Sequence, residues 1–261
     1  MADFDFDVAI LGAGTAGMSA YREARKYTDR VVMIDGGPLG TTCARVGCMP
    51  SKLLIAAAEA RHRAEGIGLF GLETGPVLVD GVRVMNRVRA ERDRFVGFVN
   101  DAIEGFDPGS LIREFARFAD DQSLLLSSGR MISARSIVIA TGSRPIVPAL
   151  LEKAGDRLIF NDDVFDWTDL PSSVAVFGTG VIGLELGQAL HRLGVRTHLY
   201  GRGGSIGPLT DPAVINYAAT QFASEFPVDW TADVDIERDG DQVVVRSNAG
   251  EERFDSLPAA T

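Results

Sequence analysis

The sequence predicts a three-layer α/β fold repeated in two domains, each with a mainly parallel sheet and a small antiparallel β element. Two observations carry this expectation. A short apolar strand, a glycine turn, a helix and a second strand occur in that order over Phe6–Ile34 and again over Val174–Tyr200. The first copy is followed by short strands around Ser127-Ser128-Gly129 and the second by strands around Asn248-Ala249-Gly250, turn signals that suit antiparallel pairing. The 261 residues suffice for two modest domains, expected at 1–148 and 149–261.

Taken in order, Phe6–Leu11 reads as a buried parallel strand ending in Gly12. A helix-compatible stretch follows to about Tyr27, and Val31–Ile34 closes the βαβ unit at Asp35. The Gly/Pro-rich segment Gly36–Gly40 leads to Cys43 and Cys48. Proline suits the first turn of a helix because its missing N–H has no partner there, so Pro50 opens a helix expected from Ser51 to about Ala64. A second helix, dense in charge on one face, is expected from about Val84 to Ile103. From about Glu114 to Ile139 the pattern changes to short strands, ending at Ala140-Thr141-Gly142. In the second repeat Val174–Phe177 is a strand, Leu184–Leu193 a helix stopped by Gly194, and Val195–Tyr200 the returning strand. Val243–Arg246 and Glu252–Phe254 read as a hairpin.

Composition narrows the function classes. Hydrophobic residues make up 46% and charged residues 24%, a globular balance. A formal net charge of -10 argues against nucleic-acid binding and against docking on an anionic membrane. No apolar run approaches the ~20 residues that span a bilayer. The acidic start Met1–Asp5 lacks the basic-then-apolar order of a signal peptide, so a cytoplasmic location is expected. In a reducing compartment a close cysteine pair suits catalysis or metal binding more than a structural bridge. With His62, His191 and His198 scattered, no metal site is expected.

Two motifs carry chemistry. Gly12-Ala13-Gly14-Thr15-Ala16-Gly17 and Gly178-Thr179-Gly180-Val181-Ile182-Gly183 each follow a strand and open a helix. Glycine lets the backbone turn tightly and approach a pyrophosphate, to which the helix end offers N–H groups and partial positive charge. Asp35 ends the second strand, where a carboxylate accepts hydrogen bonds from a ribose. The two turns therefore describe Rossmann-like dinucleotide-binding domains, with plain α/β packing as the bland alternative. The second motif is the cysteine pair, whose second member is bracketed by Gly47 and Pro50 at a helix start that favours a thiolate. On spacing alone, two thiols that fill space remain the alternative.

The run Gly40-Thr41-Thr42-Cys43-Ala44-Arg45-Val46-Gly47-Cys48-Met49-Pro50-Ser51-Lys52 resembles the redox motif of the class I pyridine nucleotide–disulfide oxidoreductases. Pro-Ser-Lys after the second cysteine is most similar to the dihydrolipoamide dehydrogenase and mercuric reductase branches; glutathione reductases usually carry Pro-Lys-Lys. The resemblance covers nearly the whole chain and keeps the family's motif order. It implies that Gly12, Gly14, Gly17 and Asp35 hold the ADP part of FAD, with Asp35 where many relatives have Glu. It implies that Thr42 and Lys52 lie close to the flavin and that Thr141 and Gly142 mark the exit from the flavin domain. Gly178, Gly180 and Gly183 would take the pyrophosphate of NAD(P), and Glu185 would pair with Lys52. Cys43 and Cys48 would form a redox disulfide, Cys48 against the flavin and Cys43 as the interchange thiol. For the nicotinamide, NAD-using relatives place an acid at the end of the second strand, whereas here Leu199-Tyr200-Gly201-Arg202 offers an arginine suited to a 2′-phosphate.

The same resemblance implies an enzyme that moves electrons between NAD(P)(H) and a disulfide or dithiol substrate, small or protein-linked. The family's homodimerisation domain, its second flavin segment and its His–Glu acid/base pair are expected to be absent, and no histidine here matches the catalytic one. A non-catalytic dinucleotide-binding module and a glutathione- or mercuric-reductase-like enzyme are the alternatives.

Overall fold

The computed structural model describes residues 4–260. In chain order the elements begin β1 (Phe6–Leu11), α1 (Thr15–Ala24), β2 (Val31–Ile34), α2 (Thr42–Val46), α3 (Cys48–Gly66) and α4 (Gly81–Glu104). Strands β3 (Leu111–Ile112), β4 (Ala116–Asp120), β5 (Ser123–Leu126) and β6 (Met131–Ile139) precede α5 (Ala149–Glu152), β7 (Leu158–Phe160) and β8 (Ser173–Phe177). The chain continues through α6 (Val181–Arg192), β9 (Arg196–Tyr200), α7 (Pro212–Glu225) and β10 (Val228–Asp229). It closes with β11 (Val234–Asp239), β12 (Gln242–Ser247), β13 (Gly250–Phe254) and β14 (Leu257–Ala259).

These elements form two compact units. One holds the chain up to Arg45 together with Arg92–Arg144; the other holds Val46–Glu91 and the chain from Pro145 onward. In the first, the strand order is β3-β2-β1-β6-β5-β4. Strands β1, β2 and β3 pair in parallel, and β6 joins β1 in parallel through its second half. The first half of β6 pairs β5 antiparallel, and β5 pairs β4 the same way. Side chains alternate between the two faces of a strand, and this separates two cores. Ala9, Leu11, Val32 and Ile34 meet Leu124, Leu126 and Ile132 of the antiparallel piece. Ile10, Val31 and Met33 face Tyr21 of α1.

The second unit repeats the scheme. Its parallel sheet runs β10-β9-β8-β14-β7, and β11-β12-β13 form a separate antiparallel sheet. Val174, Val176 and Leu199 pack with Leu54 of α3, Met85 of α4 and Leu186 and Leu190 of α6. Ala175, Phe177 and Tyr200, on the opposite face, pack against Ile236, Val243, Val245 and Phe254 of the antiparallel sheet. The architecture is thus α/β with two mainly parallel sheets and small antiparallel β elements, as the alternation of strands and helices implies.

The element bounds differ from the sequence reading in instructive places. Helix α3 starts at Cys48 rather than Ser51, because Pro50 sits inside the first turn, where no backbone N–H is needed. Helix α6 starts at Val181, directly off the glycine turn. Helix α7 is an addition. Asp211 caps it by accepting from the backbone N–H groups of Ala213 (2.8 Å) and Val214 (3.1 Å), and Pro212 is its first residue.

Candidate active site

The first glycine turn is shaped by close backbone approach. Gly12 has φ +103°, and a β-carbon on it would lie 2.3 Å from the carbonyl oxygen of Ala140. A β-carbon on Gly17 would lie 1.9 Å from the carbonyl oxygen of Gly12, so the helix can meet the strand only without a side chain there. Around Gly14, in contrast, nothing lies within 4 Å of that position. Two of the glycines close the turn, and the middle one leaves the amino end of α1 uncovered. The carboxylate of Asp35 accepts from the N–H of Ala13 (2.7 Å) and of Gly37 (2.8 Å). Arg113 donates to the carbonyl oxygens of Asp35 (2.8 Å) and Gly37 (2.6 Å), pinning this corner from outside. Thr141 and Gly142 are exposed beyond the end of β6, Gly142 at φ +71°.

The loop before the cysteines is strained. Thr41 has φ +62°, the one non-glycine residue with positive φ among those described. For a β-branched residue that conformation costs of order 1–3 kcal/mol and persists where the surroundings impose it. Here they do: Gly40 is pressed against Val96, and the Thr41 hydroxyl accepts from the N–H of Ala44 (3.2 Å), capping α2. Exposed Thr42 opens α2, and half-buried Cys43 follows it in the first unit. Cys48, exposed, is the first residue of α3 in the second unit, with Gly47 at the cap and no side chain capping the helix. The helix end therefore turns backbone N–H groups and positive dipole toward that residue.

Helices α3 and α6 are joined by charge as well as by their apolar faces. Lys52 Nζ lies 2.5 Å from Glu185 Oε1. One heptad further along both helices, Arg192 is bonded to Glu59 and also to Glu225 of α7. Two pairs with equal steps in the same direction mean that α3 and α6 run parallel. Arg61 donates to the carbonyl oxygen of Arg192 (2.9 Å) and so covers the carboxyl end of α6. Burial alone would raise the Glu225 carboxyl, but bonds from Arg192 and Gln188 outweigh it and hold the group below its ordinary value.

The second glycine turn copies the first. Gly178 has φ +117°, and its β-carbon would lie 2.4 Å from the carbonyl oxygen of Ala260; that of Gly183 would lie 1.9 Å from the Gly178 oxygen. Gly180 again has nothing within 4 Å. A cavity of about 290 Å³ adjoins this turn, walled by Phe177, Thr179, Tyr200, Arg202 and Asp233 among others. Among the described residues Arg202, exposed at the rim of this cavity, has no hydrogen bond or ion pair.

Tyr200, Thr179 and Asp233 carry no assignment in the sequence reading. Tyr200 donates to Glu252 Oε2 (2.8 Å), which also lies 2.5 Å from His198 Nδ1. Burial first, and the Glu252 carboxylate second, push the Tyr200 phenol far above its ordinary value. Glu252 lies on the antiparallel sheet, 52 residues beyond Tyr200, and no local spacing signals the pairing. Among the described residues no group of three or more His, Cys, Asp or Glu could hold a metal ion, and no helix is long and apolar enough to cross a membrane.

Two strand–turn–helix corners, each closed by crowded outer glycines and open at the middle one, define an α/β protein with a repeated Rossmann-like scheme. The sequence pattern of the family described as "Pyridine nucleotide-disulphide oxidoreductase" matches residues 6–261, and the chain belongs to that family. The family is one of FAD- and NAD(P)-binding flavoprotein disulfide oxidoreductases, and both open corners fit the phosphates of such groups. Among curated proteins, the mercuric reductase of Staphylococcus aureus is 30% identical over 217 residues, 81% of this chain and 39% of that protein. The dihydrolipoyl dehydrogenase of Bacillus subtilis (strain 168) is 31% identical over 220 residues, 79% of this chain and 46% of its own. Among solved structures, the HOCl-induced flavoprotein disulfide reductase RclA from Escherichia coli superposes with a TM-score of 0.82 at 21% identity. That match covers 98% of this chain and 56% of RclA. The chain spans about two-fifths of the length of the curated relatives it matches.

Proposed function

We propose that this chain carries the FAD-binding and NAD(P)-binding parts of an oxidoreductase that reduces or forms a disulfide in its substrate through Cys43 and Cys48. Residues 1–148 hold FAD and residues 149–261 the nicotinamide dinucleotide. The observation that carries the reading is the doubled corner: Gly14 and Gly180 are each open where a pyrophosphate would lie, while their flanking glycines are closed against carbonyl oxygens. In the first corner Gly12, Gly14, Gly17 and Asp35 hold the adenosine and pyrophosphate end of FAD. In the second, Gly178, Gly180 and Gly183 hold the pyrophosphate of NAD(P), and Arg202 favours a 2′-phosphate.

Bound FAD supplies the two-electron relay between a nicotinamide and the cysteine pair. In the reducing direction, the Cys43–Cys48 disulfide takes up two electrons and two protons and opens to a dithiol. Cys43 attacks one sulfur of the substrate disulfide and releases the other as a thiol. Cys48 then attacks Cys43, releases the second thiol and re-forms the bond. The helix end turns backbone N–H groups toward Cys48, where this exchange takes place. Thr42, Thr141 and Gly142 border the flavin, and Lys52, held by Glu185, keeps a positive charge beside it.

Two substrates are favoured by the relatives: a dihydrolipoamide-type dithiol by those named dihydrolipoyl dehydrogenase, and mercuric ion by those named mercuric reductase. We take the dithiol as the first reading, because the Cys43–Cys48 exchange requires only a disulfide or dithiol partner. Two-electron reduction of the FAD-loaded chain is expected to give an absorbance band beyond the flavin spectrum that Cys48→Ser removes. A Cys48→Ser chain that keeps the band overturns the assignment. NAD(P)H oxidation with lipoamide or with Hg(II) as acceptor separates the two substrates.

A further inference from the structure

Asp233 lines the cavity beside the second glycine turn and is the one carboxylate in its lining. Strand β10 lies parallel to β9, with Val228 level with Leu199 and Asp229 with Tyr200. The loops that follow the two strands therefore leave the sheet at the same end. Backbone bonds lace these loops together. Gly201 donates its N–H to the carbonyl oxygen of Asp229 (2.7 Å), Ala232 to that of Gly201 (2.8 Å) and Gly204 to that of Trp230 (2.9 Å). The first loop brings Arg202 and Ser205 to the cavity, and the second brings Asp233. All three are exposed, and among the described residues none of their side chains has a hydrogen bond or ion pair. Half-buried Pro148, Leu150 and Val234 add an apolar side to the same cavity.

We infer that Asp233 reads the base of the nicotinamide dinucleotide: its carboxylate accepts from the exocyclic amino group of adenine, so the site selects adenine over a 6-oxo purine. The inference rests on the NAD(P)-site reading and adds the residue that discriminates the base. In a corner of this kind the pyrophosphate lies at the amino end of the helix and the ribose at the end of the second strand. That strand is β9, so the ribose falls beside Gly201 and Arg202 and the base beyond it, toward the loop after β10. At about 290 Å³ the cavity is at the small end of ligand pockets, ~300–1,000 Å³, and takes one end of a dinucleotide rather than the whole. Pro148, Leu150 and Val234 suit the flat face of a purine, and the polar groups fix its edge. Arg202 offers only donors, which suits a phosphate, whereas an ionised carboxylate only accepts and needs a donor from the ligand. The adenine amino group is such a donor. Asp233 directly follows Ala232, whose N–H is bound to Gly201, so the acceptor stands next to a fixed point and little entropy is lost in ordering it.

The test is titration calorimetry with NADPH and NADH, each against its hypoxanthine analogue, in which an acceptor oxygen replaces the amino group. The parent chain is expected to bind the adenine forms about tenfold more tightly, the scale of one charge-assisted hydrogen bond replaced by two opposed acceptors. Asp233→Asn, whose amide both donates and accepts, is expected to bring the two bases within about twofold, chiefly by tightening the hypoxanthine form. Asp233→Ala is expected to weaken the adenine forms by about tenfold and to lose the discrimination. A merely structural role would weaken both bases together and would not yield the gain with Asp233→Asn. A parent chain that binds both bases within about twofold, or an Asp233→Asn chain that keeps the parent's ratio, overturns the base contact alone. Equal losses with both bases in Asp233→Ala overturn it too, and assign the carboxylate to the ribose hydroxyls. A parent chain that binds neither NADPH nor NADH overturns the NAD(P)-site reading and the base contact with it.

Discussion

The two glycine corners are built alike and finished differently. Gly12 donates its N–H to the carbonyl oxygen of Ile34 (2.8 Å), and Gly178 donates to that of Tyr200 (2.9 Å), so Ile34 and Tyr200 are equivalent. The next residues, Asp35 and Gly201, are therefore equivalent too, as are Ala13 and Thr179. In the first corner a small residue in the turn leaves room for a carboxylate, and the Asp35 side chain bonds the Ala13 N–H. In the second the sizes are exchanged. A β-carbon on Gly201 would lie 2.4 Å from Thr179 Cγ2, so a side chain there is crowded while Thr179 stands as it does. The acid missing from the end of β9 is thus one half of a two-residue exchange whose other half lies in the turn, 22 residues earlier.

The largest expected effect breaks the shared part of both corners. Gly12→Ala or Gly178→Ala sets a β-carbon against a carbonyl oxygen at positive φ and should cost about 2–4 kcal/mol of stability in denaturant titration. Gly14→Ala and Gly180→Ala meet open space and should change stability by less than about 1 kcal/mol while weakening dinucleotide binding. Equal losses at outer and middle glycines would refute the division of labour between them.

Next comes the difference itself. Gly201→Asp alone should destabilise by about 1–3 kcal/mol through overpacking against Thr179. Thr179→Ala with Gly201→Asp should recover stability and move the preference between NADPH and NADH toward NADH by about tenfold or more, read as a ratio of dissociation constants. A double variant with unchanged preference would detach Thr179 and Gly201 from cofactor choice. In the first corner, Asp35→Ala removes two backbone-to-carboxylate bonds and should lower stability by about 1–3 kcal/mol together with FAD retention.

A smaller effect separates the units by pH. Glu225 is held below its ordinary value, so its bond to Arg192 stabilises the fold fully above the unfolded carboxylate value of about 4.3 and is lost as pH falls through the folded value. Glu225→Gln should flatten the acid limb of the second unit's unfolding profile, seen by hydrogen exchange at α7. Smallest of all, Lys52→Met should change stability by under about 1 kcal/mol, since Lys52 is 58% exposed and its ion pair well solvated.

The corners, both parallel sheets and the family were legible in the sequence because each rests on local pattern: short continuous apolar runs, Gly at fixed offsets, and one long cysteine motif. Helix α7 has no place in that reading, although Asp211-Pro212 is a helix-start signal; the segment offers no glycine motif to draw attention to it. Glu252 could not be read at all, since the antiparallel hairpin brings it to Tyr200 across a sheet-to-sheet contact with no sequence spacing. Thr179 was visible in the second motif, but its role emerges only beside Gly201.

The register of α3 and α6 has one more consequence. Matching Lys52 with Glu185 and Glu59 with Arg192 also sets Cys48 level with Val181, the first residue after the second glycine corner. Two beams strapped side by side thus begin at one rim, one headed by the sulfur of Cys48 and the other by the open turn at Gly180.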